Sequence, residues 1–147
     1  MTVTEVYSSP AITAHRDDTV VDAARRLRDE HVGDLIVVDD RKRPVGILTD
    51  RDIVVSAVAQ SADRLDALRV ADIMTTNVFS VRRNESVEGA LKKMAAHGVR
   101  RLPVLGTEGE VEGIVSLDDL LQRESMQLWN LVTVVAREQR QERERRR

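Results

Sequence analysis

Cysteine is absent from this chain, and with it any disulfide framework or thiolate metal centre. Aromatic residues are nearly absent: one Phe, one Tyr and one Trp in 147 residues. That is too few for the stacking platform on which proteins bind single-stranded nucleic acid. No apolar run approaches the roughly 18 residues of a membrane span, and none follows a basic N-terminus in the manner of a secretion signal. Neither sign of charge dominates, the net being −2 at pH 7, so the chain as a whole has no pull toward nucleic acid. Motifs for phosphate loops and dinucleotide folds are missing. The three His, at 15, 31 and 97, show no metal-ligand spacing with carboxylates. The expectation is a soluble cytoplasmic protein that is not an enzyme.

What is present is a duplication. Residues 3 to 54 reappear without a gap, 67 positions on, as residues 70 to 121. Val20 falls on Val87, Ala23 on Ala90, Leu35 on Leu102, Gly46 on Gly113 and Asp52 on Asp119. Most matches are apolar or Gly, so the repeat preserves a core and its turns. The polar matches, Asp52/Asp119 and the hydroxyl pair Thr49/Ser116, are where function is to be sought. Each copy is shorter than about 70 residues, a size at which a lone core is marginal, so the two are expected to pack together and share one core.

Both copies carry the same periodicities. A short β segment (residues 11–14 and 78–81) leads to a helix opening at Thr19 or Ser86, both good N-caps. Apolar positions at Val20, Ala23, Ala24, Leu27 and Val87, Ala90, Leu91, Met94 give each helix one buried face. Continuous apolar runs at 35–38 and 102–105 read as strands covered on both sides. A polar turn, a second strand (45–48; 111–115) and a helix from Thr49 or Ser116 complete the unit. The fold class is α/β (α+β): two β-α-β-β-α repeats packed pseudo-symmetrically, plus a C-terminal helix. The division is 1–60 for the first unit, 61–69 for a polar surface linker, 70–124 for the second, and 125–147 for a helix with an Arg-rich tail.

Leu121, Ser125, Leu128, Val132 and Val135 step by 4, 3, 4, 3 along that helix, like a short heptad seam with one weak position. The stripe suits either a dimer-forming helix or one lying on its own domain. The last eleven residues hold six Arg and three Glu, a local +3 that leaves −5 for the rest. They read as a solvated helix end, with a nucleic-acid tail as the sharper alternative.

Thr49-x-x-Asp52 and Ser116-x-x-Asp119 each stand where a strand runs into a helix. One reading is a capping box, the hydroxyl accepting from the third helical amide while the acid reaches back. The other is a ligand mouth, since a carboxylate there can accept from a ribose diol and the free amides favour anions or hydroxyls. The residues alone leave both open.

The segments VADIMTTNVFSV, GVRRLPVL, PVGILTDRDIV and EGIVSLDDLL, together with D-x-T-V-x-x-A, resemble a tandem pair of CBS domains, the cystathionine β-synthase type regulatory module. The resemblance implies two clefts between paired sheets that often hold adenine nucleotides (AMP, ADP, ATP) or related adenosyl compounds, with no obligatory cofactor. It implies ribose binding by Asp52 and Asp119 and sugar or phosphate contacts from Thr49 and Ser116. Ile12 and Phe79, with Val32 and Val99, are the family positions for an aliphatic base slot. The copies differ where phosphate charge would be met: Arg100 and Arg101 stand where the first copy has Gly33 and Asp34, and Arg51 where the second has Asp118. One cleft could therefore gather more positive charge than the other. Three functions follow as expectations: a homodimeric nucleotide sensor read by an unknown protein partner; a ligand-free interaction homodimer; and, least expected, a nucleic-acid-associated factor.

Overall fold

The computed structural model describes residues 1–145. The first copy runs β1 (Thr13–Ala14), α1 (Val20–Glu30), β2 (Asp34–Val38) and β3 (Pro44–Thr49), then enters a series of helical turns kinked at Ser61 and Arg64. That series opens as α2 (Asp50–Asp52), widens to a π-helical stretch (Ile53–Val58), passes through α3 (Ala59–Ser61) and ends in a 3-10 stretch (Ala62–Ala67). A short α4 (Val70–Ile73) precedes the second copy: β4 (Val81–Arg82), α5 (Val87–His97), β5 (Arg101–Leu105), β6 (Val111–Ser116) and α6 (Leu117–Arg145). The β-α-β-β-α order thus occurs twice. The entry strands are shorter than the sequence suggests, because each pairs in parallel with only two residues of its neighbour, Thr13 and Ala14 with Ile36 and Val37, Val81 and Arg82 with Val104 and Leu105.

Thr19 and Ser86 cap α1 and α5 by accepting from the backbone N–H of Asp22 and Gly89, each worth about 1 kcal/mol. The buried faces are the expected ones, Val20, Ala23, Leu27 and Val87, Ala90, Met94. Each sheet has three strands, in order β1-β2-β3 and β4-β5-β6, with most of the central strand buried.

The shared core expected from size is divided into three buried clusters, two of which interlock the copies. Val3 is buried with Val81, Ala90, Leu102 and Val115 of the second copy, whereas Val70 is buried with Ala14, Leu35 and Leu48 of the first. Each lead-in segment therefore completes the other copy. Ser8 exchanges backbone hydrogen bonds with Ile114 (2.9 and 3.0 Å), and Thr75 exchanges them with Ile47 (both 2.9 Å). These bonds occupy the outer edge of β6 and β3, which would otherwise stand open. Gly46 and Gly113 belong to this exchange: a Cβ at Gly113 would overlap the Ser8 carbonyl and the Tyr7 ring, and one at Gly46 would press on Met74 and Thr75.

Most of the polar segment 61–69 is exposed, with Leu65 half-buried and Leu68, just past the 3-10 stretch, buried with Val20 and Ala57. Of the two readings left open for the α6 stripe, the described residues do not show it lying on its own domain. Leu120 is buried, but Leu121, Leu128, Trp129, Val132 and Val135 are 51 to 72% exposed. Arg146 and Arg147 of the Arg-rich tail lie outside the described residues, as do the side chains of Glu142, Arg143 and Arg145. No helix among the described residues is long and apolar enough to cross a membrane.

Candidate ligand site at the second repeated cap

β6 ends at Ser116 and α6 begins one residue later, so the turn between them must satisfy free helical amides. Ser116 Oγ accepts from the Asp119 N–H (3.1 Å), and Asp119 Oδ2 accepts from the Ser116 N–H (3.3 Å). Thr49 and Asp52 repeat this arrangement at 3.1 and 3.0 Å. Both duplicated pairs are thus real capping boxes. Each box uses one carboxylate oxygen, and Oδ1 of Asp52 and of Asp119 has no hydrogen-bond partner among the described residues. Capping and ligand binding are therefore compatible in one side chain.

The strands decide what faces these caps. Asp34, at the start of β2, sits opposite Thr49, and Arg101, at the start of β5, sits opposite Ser116. Asp34 and Arg101 occupy the same position in the two copies and meet, Nε to Oδ2 at 3.4 Å. A residue that meets its own repeat equivalent lies on the pseudo-twofold axis. The Asp34 side chain is only 11% exposed, and its Oδ2 is buried without a hydrogen bond, the guanidinium being near but poorly aligned. Burial pushes the Asp34 carboxyl above the ordinary carboxylate range, and Asp50 adds to the rise while Arg101 opposes it.

These groups wall a cavity of about 220 Å³. Ile12, Val32, Ile36 and Ile114 form its apolar sides, and Asp34, Arg101, Ser116 and Asp119 its polar end. Of the residues expected at a site, the structure brings together Ile12, Arg101, Ser116 and Asp119, with Val32. The others are elsewhere. Thr49 and Asp52 cap α2 and do not line this cavity, and Arg51 is exposed on that helix. Arg100 pairs at 3.2 Å with Asp118 on the surface, both about two-thirds exposed, an interaction of about 0–1 kcal/mol. Phe79 stacks on His97 at 3.5 Å and, like Val99, packs on the second core. The cation-rich mouth expected from Arg100 and Arg101 is thus offset by an acid opposite each. Asp34 and Ser8 were not anticipated; the one trace of Asp34 was its place opposite Arg101 in the repeat. A larger cavity of about 430 Å³, beside the 53–67 helical run, contains none of the duplicated polar residues.

The CBS domain family model matches residues 3–58 and again 70–125. An uncharacterized protein of Methanopyrus kandleri is 35% identical over 124 residues, covering 84% of this chain and 63% of its own length. A CBS domain-containing protein of Bacillus subtilis is 34% identical over 118 residues, covering 80% of this chain and 81% of its own. The solved CBS domain pair of protein MJ0100, in complex with 5′-methylthioadenosine and S-adenosyl-L-methionine, superposes with a TM-score of 0.76 at 30% identity, covering 86% and 98% of the two chains. CBS pairs are regulatory modules. The family model falls on the same two halves that the repeat and the interlocked cores delimit, and the chain belongs to the CBS-domain family as a tandem CBS pair.

Proposed function

We propose that this CBS pair senses an adenosyl compound bound in the cavity at Ser116 and Asp119. The observation that carries the reading is the placing of the second capping box. Asp119, which has a carboxylate oxygen to spare, lines a cavity together with aliphatic side chains, the pairing of sugar acceptor and aliphatic base wall that a nucleoside needs. With so few aromatics, the base would lie between Ile12, Val32 and Ile114. The ligands bound by the MJ0100 pair are consistent with this.

The output would run through α6. Asp119 is in its first turn, and the same helix exposes Leu121, Leu128, Leu131, Val132 and Val135. An apolar face of that extent marks an interaction surface, and the 4, 3, 4, 3 step fits a second copy of the chain. A ligand that favours one setting of the first turn would shift the population of dimer arrangements, which a protein partner could read.

Isothermal titration of the full chain with adenosine, 5′-methylthioadenosine, S-adenosylmethionine, AMP and ATP tests the reading. One ligand per chain is expected. Asp119→Asn should weaken binding at least tenfold, at a cost of about 1 kcal/mol or less in apo stability from the altered cap. Two equal sites would return weight to Thr49 and Asp52, and no binding by any compound would leave only the ligand-free interaction dimer.

A further inference from the structure

The charged groups on the cavity wall are two carboxylates, Asp34 and Asp119, and one guanidinium, Arg101, which already faces Asp34. The cleft is therefore short of positive charge before a ligand enters. A phosphate monoester adds about −1.5 to −2 at pH 7 and offers only acceptor oxygens. Asp34 Oδ2 is itself a buried acceptor without a donor. A neutral or positively charged ligand adds no like charge beside this buried carboxylate, whereas a phosphate does.

Resting on the adenosyl reading above, we propose that this cleft takes an adenosyl ligand without phosphate, a neutral thioether or nucleoside or a cationic sulfonium, and that Asp34 sets the preference. The repeat explains how it arises. Position 34 of the first copy is position 101 of the second, and both lie on the pseudo-twofold axis. Arg at both would build a doubly cationic end suited to phosphate; Asp at one of them cancels it.

Titration calorimetry on the full chain, with 5′-methylthioadenosine, S-adenosylmethionine, AMP and ATP as probes, is the test. The first two should bind at least tenfold tighter than AMP or ATP. Asp34→Asn should narrow that ratio tenfold or more, chiefly by a gain in AMP affinity, and Asp34→Ser serves if the Asn variant does not fold. AMP or ATP binding as tightly as 5′-methylthioadenosine to the wild type overturns phosphate exclusion and leaves the adenosyl reading standing. An unchanged ratio in the folded variants removes Asp34 as its determinant. Failure of all four probes to bind overturns the adenosyl reading, and this inference with it.

Discussion

At the scale of single residues, the duplication presents the same backbone problem twice with different side chains. His31 ends α1 with φ 54° and Lys42 turns from β2 to β3 with φ 60°; their equivalents are Gly98 at 64° and Gly109 at 85°. The left-handed region costs a non-glycine residue roughly 1–2 kcal/mol, and glycine gives back about 0.5–1 kcal/mol of it through unfolded-state entropy. His31→Gly and Lys42→Gly should therefore each stabilise the protein by up to about 1 kcal/mol, and Gly98→Ala should destabilise it by a similar amount. No atom lies within 4 Å of a Cβ at Gly98, so that loss would be backbone strain and not collision. Urea midpoints at constant slope measure all three, and a destabilised His31→Gly would show that its imidazole makes an interaction worth more than the strain. Asp34 yields a second residue-level expectation. Its folded carboxyl titrates above the ordinary 3.8, burial being the main cause. Its contribution to stability is complete below 3.8 and is lost as pH rises through the raised value. Asp34→Asn does not titrate, so wild-type stability relative to this variant should fall across that window and level off above it. The groups facing Asp34 are Arg101, Asp50 and, across the cavity, Asp119. A difference that grew with pH would mean that attraction to Arg101 outweighs burial.

At the scale of elements, the interlocked lead-ins are the feature most exposed to test. In Gly113→Ala the new methyl would meet the Ser8 carbonyl, a backbone atom that cannot yield. In Gly46→Ala the nearest atom is the Met74 sulfur at 2.7 Å, the end of a flexible side chain. Overpacking costs about 1–3 kcal/mol; Gly113→Ala should lie at the upper end and Gly46→Ala at the lower. Thermal melts compare them. Ser8 and Ile114 also wall the cavity, so Gly113→Ala should weaken adenosyl binding as well, and equal melting losses would show that the two lead-ins are docked alike. The strands and the faces of α1 and α5 could be read from the chain because apolar runs and a 0, 3, 4, 7 spacing are side-chain signals. The lead-in exchange could not, since its bonds join backbone to backbone between residues 106 and 28 positions apart (Ser8 with Ile114, Ile47 with Thr75) and leave only the duplicated glycines as a trace. Leu65 and Leu68 were hidden for another reason, standing as isolated apolar residues in a polar stretch. Of the cavity lining, Ser116, Asp119, Ile12, Val32 and Arg101 were legible from motif, family position and the repeat. The place of Asp34 was not, because it arises only when folding sets that residue against its own equivalent, Arg101.

At the scale of the whole molecule, most of α6 has no packing partner among the described residues. A helix of 29 residues reaches about 44 Å at 1.5 Å per residue, yet beyond Leu117 and Leu120 it packs little of its length on the second core. Helices gain most of their stability from packing an apolar face, and here Leu128 and Val132 are 61% exposed and one turn apart. A second copy laid along the same seam would cover both. The full chain should therefore sediment as a dimer, and Leu128→Glu with Val132→Glu should give a folded monomer whose β-α-β-β-α units melt nearly as before. A double variant that sediments like the wild type would move the interface off this helix. Because Asp119 lies in the first turn of α6, dimerisation and ligand binding are expected to be linked, and linkage is reciprocal. If 5′-methylthioadenosine tightens the dimer fivefold, the dimer must bind 5′-methylthioadenosine correspondingly more tightly than the monomeric variant does. Equal affinity in the two would leave Ser116 and Asp119 binding a ligand with no transmission through α6.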